Sequence, residues 1–151
     1  IAVLVAGTVR QFDVPERLWR DPADAAVASF LGIGPLLEAT VRTGVAHTSA
    51  GEFPAGSVTD GPARLLIPTA AVHVDPGPGV PRLVADVVDV RFAGDHHRIK
   101  VRTGDHTFTV RSGDPTTLPS VGERIPFGVD AGALRVLPAP EDREGHAPAA
   151  Q

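Results

Sequence analysis

An apolar run opens the chain. Residues 1–5 are continuously apolar, Gly7-Thr8 is typical of a tight turn, and residues 8–12 form a second short strand. This pattern predicts a β-hairpin. Pro15 favours the first turn of a helix, and Asp21-Pro22 is a break. A short helix is therefore expected directly after the hairpin.

A second short helix is predicted over residues 23–31, since its apolar residues recur at helical spacing and Gly32 is a good C-terminal stop. The residues that give this period are Ala23, Val27, Phe30 and Leu31. Trp19, the single tryptophan, is expected in the core where the helix packs on the following domain.

Beyond Gly32 the helical period gives way to alternation. Leu37, Ala39 and Val41 are separated by polar residues, which predicts a half-buried strand. Residues 44–62 are rich in turn formers, and two further short strands are expected at 64–67 and 72–74. Pro and Gly dominate residues 75–79, which predicts a linker.

The second half of the chain alternates more regularly. Its first strand changes phase near Val88-Asp89, which indicates a β-bulge. Four more alternating pieces follow, the last at Leu134 and Val136, and five strands predict an OB-like barrel. The phase places Phe92, Phe108 and Phe127 inside it.

Two segments resemble each other. The pattern Gly61 to Ile67 followed by Val72-x-Val74 is echoed by Gly122 to Phe127 followed by Leu134-x-Val136. The alternative is that any two hairpins with a glycine turn look alike. Residues 139–151 contain an acidic cluster without periodicity, which predicts a disordered tail.

Composition narrows the function classes. The 151 residues carry a net charge of −4 and no cysteine, so thiolate metal sites and cysteine nucleophiles are excluded. A net negative charge disfavours nucleic-acid binding. No apolar stretch approaches membrane-span length and no signal-peptide pattern opens the chain.

One polar cluster is a candidate contact for a ligand or partner: Asp95, His96, His97 and Arg98, with His106 one hairpin away. Imidazole and carboxylate groups can converge on a metal or anion. The alternative is an ordinary polar turn after Gly94, and no metal ligand or catalytic residue is assigned. A basic stripe is formed by Arg98, Lys100, Arg102 and Arg111. It is either a contact surface or a solvated sheet face.

The opening segment resembles the one that follows the switch histidine in ATP-binding subunits of ABC importers. The matching residues are Gly7, Gln11, Pro15, Glu16, Leu18, Trp19, Pro22, Ala28, Phe30, Leu31 and Gly32. The chain departs from the family at Asp13-Val14, at Pro35 and at residues 67–70. In the last segment the family has an Ile-Arg-Pro-Glu turn, and this chain has neither the Arg nor the Glu. These departures bear on the solute more than on the fold.

The resemblance implies that residues 1–32 end a nucleotide-binding domain and that residues 33–138 are a regulatory region of transport-associated OB (TOBE) type. Its paired lobes would be about 33–75 and 81–138. The fold class is then mainly β, an OB-like barrel preceded by a hairpin and two short helices. A free-standing OB protein that binds a small oxyanion is the alternative.

The resemblance also implies an intact transport ATPase that binds ATP and Mg²⁺, pairs with a second copy and contacts transmembrane permease subunits. It would lie in the cytoplasm at the inner face of the membrane. Iron(III), thiamine or polyamine importers look most similar. The sequence has no glycine-rich phosphate loop, so this chain is expected to bind no cofactor itself and to hydrolyse no ATP.

Overall fold

The computed structural model describes residues 1–74, 80 and 82–139. The predicted linker at 75–79 and residues 140–151 of the predicted tail lie outside the described residues. No helix in the described part is long and apolar enough to cross a membrane. The chain begins with a hairpin of β1 (Ala2–Val5) and β2 (Thr8–Phe12), then α1 (Pro15–Arg20) and α2 (Ala25–Leu31).

The remaining strands run from the linker after α2 to the end of the described chain. They are β3 (Leu36–Arg42), β4 (Val45–Thr48), β5 (Gly51–Pro54), β6 (Gly61–Leu66), β7 (Val72–Val74), β8 (Arg82–Phe92), β9 (His97–Thr103), β10 (His106–Ser112), β11 (Arg124–Val129) and β12 (Arg135–Pro138). The predicted fold class, a mainly β structure preceded by a hairpin and two short helices, is confirmed.

The opening hairpin is tied to the helices by polar side chains. Gln11 donates to the carbonyl of Asp21 at 3.1 Å and accepts from the amide of Ala23 at 2.8 Å, so its side chain holds the break between the helices from both sides. Asp24 caps α2 through the amide of Val27 at 2.9 Å and pairs with Arg10 at 2.6 Å. The hairpin and helices therefore form one small unit.

The segment between α2 and β3, residues 32–35, is fixed by close backbone contacts, and we call it the linker from here on. Gly32 ends the helix with a left-handed φ of 65°. A Cβ on Gly34 would lie 2.0 Å from the carbonyl oxygen of Ile67. The amide of Ile67 donates to Pro35 at 3.0 Å, and that of Thr69 donates to Ile33 at 3.0 Å. The chain thus enters the β region along the end of β6, and Pro35 accepts there without needing an amide donor.

The main body consists of two five-stranded sheets with the same plan. The first sheet has the order β5-β4-β3-β6-β12 and the second has the order β10-β9-β8-β11-β7. Each is a meander of three strands followed by a fourth strand beside the first, and all the pairs are antiparallel. The fifth strand of each sheet comes from the other half of the chain.

This exchange gives the sequence repeat its structural form. In one copy β6 leads through a 3₁₀ turn at Thr69–Ala71 into β7, and in the other β11 leads through Ala131–Ala133 into β12. The second strand of each copy crosses to the opposite sheet. The fifth strand predicted for the second barrel, at Leu134 and Val136, was therefore assigned to the wrong sheet, because local alternation carries no information about the pairing partner. The lobes at 33–75 and 81–138 stay a prediction as domains, but the sheets do not divide between them.

The alternation within individual strands was predicted well. Leu37 and Val41 are buried, and the register of β8 against β9 shifts between Val87 and Asp89, as the phase change indicates. Phe108 and Phe127 are fully buried with ring centroids 5.3 Å apart. Residues of both sheets share this core.

Two expected core residues are exposed. Phe92 is 68% exposed because it ends β8, beyond the region that the opposite sheet covers. Trp19 is 54% exposed, and the buried residue of α1 is its neighbour Leu18, which packs with Val3 and Val27. Both predictions were wrong, since alternation and residue type do not show where the packing partner ends.

Candidate functional site

The candidate residues Asp95 to Arg98 lie at the tip of the β8–β9 hairpin. The amide of Ala93 donates to the carbonyl of His96 at 2.8 Å, and Gly94 takes a positive φ of 96° that allows the tight reversal. The four residues lie in three different surroundings. The cluster is therefore a structured turn with its side chains dispersed.

The first two residues are joined by a local hydrogen bond. Nδ1 of His96 lies 2.6 Å from Oδ1 of Asp95, and this hydrogen bond is the main reason why the pKa of Asp95 is lowered from its ordinary value. The charge of Arg111 lowers the pKa of Asp95 further. Nε2 of His96 is buried without a hydrogen-bond partner among the described residues. The pair closes the turn and leaves Asp95 exposed.

The other two histidines diverge from this pair. The ring of His97 packs against Phe92 with centroids 5.2 Å apart. His106 begins β10, whereas His97 pairs with Ser112 at the other end of that strand. Six residues of strand correspond to about 20 Å. His106 instead contacts Ser49 of the first sheet at 2.6 Å. His106 therefore does not converge with the tip, because the hairpin register places it at the opposite end of β10.

The described residues include no group of three or more histidine, cysteine, aspartate or glutamate side chains that could hold a metal ion. Asp95 and His96 use their nearest polar atoms on each other. The tip therefore carries an exposed carboxylate and the Phe92–His97 ring pair.

Arg98 points away from the tip, onto the outer face of the second sheet. It stands between Arg91 on β8 and Arg111 on β10, and both are directly opposite it in the strand registers. Lys100 lies two residues further along and pairs with Thr109. The predicted basic stripe is thus brought together on one face.

Part of this basic face forms one wall of a cleft of about 400 Å³. Its sheet wall is Arg98, Lys100, Thr109 and Arg111, and its other wall is Trp19, Gly32, Ile33, Thr69 and Ala70. The second wall belongs to the end of α1, the linker and the 3₁₀ turn after β6. The cleft therefore joins the helical unit to the second sheet, and we call it the basic cleft.

Sequence reasoning found the cations of the basic cleft but missed its second wall. Trp19 was assigned to the core, and Thr69 was noted only as a departure from a family turn. The one sequence feature that could have indicated this wall is Trp19, a lone tryptophan close to the end of a predicted helix. The cleft itself forms only because the linker passes close to residues 67–69, which no local pattern reveals.

Among known protein families, the TOBE domain matches this chain over residues 66–137. The chain is 28% identical over 141 residues to the sulfate/thiosulfate import ATP-binding protein CysA of Salmonella typhi, which covers 89% of this chain and 38% of that protein. It is 29% identical over 139 residues to the Fe(3+) ions import ATP-binding protein FbpC of Streptomyces avermitilis, covering 91% and 40%.

A third relative is the Fe(3+) ions import ATP-binding protein FbpC 3 of Rhodococcus jostii, 32% identical over 133 residues, with 83% of this chain and 37% of that protein covered. The chain thus spans about 40% of the length of the curated relatives it matches. The alignments extend well outside the TOBE match, into the part of the chain that contains the hairpin and helices.

Proposed function

Because the chain contains a TOBE domain and is homologous to ATP-binding subunits of ABC importers, we propose that it is the C-terminal regulatory and dimerisation region of such a subunit. The hairpin and helices of residues 1–32 would end the nucleotide-binding domain. The observation that carries this proposal is that alignments with importer subunits cover about 90% of the chain.

The joint between the two parts supports this assignment. Gln11, Asp24 and Arg10 hold the hairpin to the helices, and Gly34 brings the linker onto the backbone of Ile67. A displacement of the nucleotide domain would reach the sheets through these short contacts. Such a joint suits a region that responds to, or restrains, the motion of a neighbouring domain.

The residues of this chain do not fit ATP and Mg²⁺. Its single lysine, Lys100, lies in β9, and no glycine-rich loop of the phosphate-binding type precedes it. We therefore derive no catalytic step here. ATP and Mg²⁺ would be bound by the rest of the subunit, which would work in the cytoplasm at the membrane with permease subunits and a second copy of itself.

For the solute we propose iron(III), which is the cargo named for two of the relatives, with sulfate or thiosulfate as the second candidate. Deleting the gene and measuring uptake of radioactive iron and radioactive sulfate separates these. Loss of iron uptake alone, restored by the gene, is expected. Loss of sulfate uptake alone would replace the first candidate with the second.

The subunit assignment has a simpler test in the coding sequence upstream of Ile1. A glycine-rich phosphate loop and a switch histidine in the same reading frame are expected. A start codon next to Ile1 would instead favour the alternative, a free-standing OB protein that binds a small oxyanion.

A further inference from the structure

The helical unit, residues 1–31, rests partly on a strand that comes from the far half of the chain. β11 of the second sheet continues through the 3₁₀ turn Ala131–Ala133 into β12, which pairs with β6 of the first sheet. Leu137 of β12 packs with Ala28 of α2 in one buried cluster. The exchanged strand therefore links the second sheet to the helices by a short covalent path.

Arg135, the first residue of β12, is oriented by the 3₁₀ turn before it. Its Nη1 donates to the carbonyl of Gly132 at 3.1 Å and to that of Leu134 at 2.8 Å. The turn itself is capped by Asp130, whose carboxylate accepts from the amide of Gly132 at 2.9 Å. A guanidinium group that is already oriented loses less freedom when it forms one more contact. Arg135 is therefore prepared to hold a partner outside its own strand.

That partner is Asp21, the residue that ends α1. Nε of Arg135 lies 3.3 Å from Oδ1 of Asp21, and Nε of Arg20 lies 3.1 Å from Oδ2. The backbone carbonyl of Asp21 accepts from the side chain of Gln11 in the opening hairpin at 3.1 Å. Hydrogen bonds from Arg20 and Arg135 outweigh burial and lower the pKa of Asp21 from its ordinary value, so the carboxylate is charged at neutral pH. Hairpin, helix end and exchanged strand thus meet at one residue.

The other side of the helical unit faces open space. There the basic cleft of about 400 Å³ lies between Trp19 and the cations Arg98, Lys100 and Arg111 of the second sheet. Trp19 is 54% exposed and stands two residues before Asp21. The helical unit is therefore held by β12 on one side and has room to move on the other.

We propose that the ion pair between Arg135 and Asp21 is a strap that couples the position of the helical unit to the second sheet. While the pair holds, the turn after β11 fixes the end of α1 and, with it, the width of the basic cleft at Trp19. When the pair breaks, the helical unit rocks about the linker and the cleft changes width. Coupling of this kind is reciprocal, so a change at either end of the strap reaches the other. The strap belongs to the chain itself and does not depend on the function proposed above.

The test is hydrogen exchange of the full 151-residue chain, with quenching of Trp19 fluorescence by neutral acrylamide as a second readout. Arg135→Gln and Asp21→Ala should each speed exchange in residues 25–35 about two- to fivefold, as loss of an exposed ion pair allows. Both should also change the quenching of Trp19, and exchange within β3, β8 and β9 should stay the same. Unchanged exchange and quenching in both variants would overturn the proposal, and so would faster exchange throughout both sheets.

Arg20→Gln is the matched control, because it removes the other cation from the same carboxylate without touching β12. Residues 25–35 should then exchange at the rate of the unmodified chain. The double variant Arg135→Gln/Asp21→Ala should exchange no faster than either single variant, since both changes break one contact. An acceleration in Arg20→Gln as large as in Arg135→Gln, or additive effects in the double variant, would contradict the strap.

Transmission from the second sheet is tested at Asp130, which caps the turn but lies outside the ion pair. Asp130→Ala loosens the turn and should speed exchange in residues 25–35 while Arg135 is present. In the Arg135→Gln background it should add nothing, because the strap is already broken. If Arg135 only stabilised the fold, the acceleration would be the same in both backgrounds. That result, or no acceleration in either background, would overturn the coupling.

Discussion

The two sheets share one topology but differ in the length of their central hairpin. In the first sheet β4 and β5 have four residues each, whereas β9 and β10 in the second have seven. Counted from the turn, the additional residues are 97–99 and 110–112. Arg98 and Arg111 both lie in this extension. The repeat therefore supplies the common frame, and the basic cleft rests on the part of one copy that the other copy lacks.

The outer faces differ in the same way. On the first sheet Arg64 pairs with Glu38 across the β3–β6 ladder at 2.7 Å, so its charge is neutralised locally. On the second sheet Arg98 faces two arginines. Equivalent architecture thus places an acid opposite Arg64 in the first sheet and arginines opposite Arg98 in the second.

The largest expected effects concern the shared core. Phe127→Ala in the second sheet and Phe53→Ala in the first should each cost about 3–5 kcal/mol, because both rings are buried in one cluster. Exchange of β7 and β12 couples the sheets, so each variant should unfold in one transition. Chemical denaturation followed by circular dichroism and by Trp19 fluorescence checks this.

Phe92→Ala is the matched control for these variants, since its ring is 68% exposed, and it should change stability by less than about 1 kcal/mol. Separate transitions for the two sheets would show that strand exchange does not couple them. The comparison between the sheets would then be one between independent domains.

The core predictions show what the sequence could supply. Alternation identified Leu37, Val41, Phe108 and Phe127 as buried, and a phase change located the bulge beside Asp89. These features depend on neighbours within one strand. Strand exchange depends on which strands meet in space, and neither hairpin pattern nor turn chemistry encodes that.

The site was less predictable for the same reason. The cations on β9 and β10 were visible as a stripe, but the register that places Arg98 opposite Arg111 was not. Trp19 was misassigned because an aromatic residue in an amphipathic helix is usually buried. Here α1 has six residues and buries Leu18 alone. The next residue, Trp19, therefore stays outside the core and lines the cleft.

The linker provides the next largest effect. Gly34→Ala should cost about 1–3 kcal/mol, because its Cβ would lie 2.0 Å from the backbone oxygen of Ile67 and the linker would have to move. Gly113→Ala on the β10 side is the control. It has open space around the added Cβ and should be neutral or slightly stabilising. Thermal melts of both variants test whether the first sheet is held to the helices at this point. Equal melting temperatures would remove that contact from the joint.

The cap of α2 should contribute about 1 kcal/mol and make the joint sensitive to acid. Burial raises the pKa of Asp24, but the Val27 amide and the Arg10 guanidinium outweigh it, so the pKa is lowered overall. A carboxylate with a lowered folded-state pKa adds stability above its unfolded pKa of about 4, and that stability is lost as the pH falls through the folded value. Asp24→Asn should flatten the pH dependence of unfolding below about pH 4 while keeping much of the cap. If the Asp24→Asn variant loses stability below pH 4 as steeply as the unmodified chain, the acid sensitivity arises from other carboxylates.

The smallest effect separates the two outer faces by sign. Arg64→Gln removes a partner of Glu38 and should cost about 0–1 kcal/mol, as exposed ion pairs do. Arg98→Gln removes a charge that faces two arginines and should stabilise the chain by about 0.2–1 kcal/mol in chloride. Urea denaturation of both variants in low-salt chloride buffer measures the difference, and added salt should shrink it because both terms are screened. Two losses of the same size would mean that Arg98 has a favourable partner within the chain, and the contrast between the surroundings of Arg64 and Arg98 would then fail.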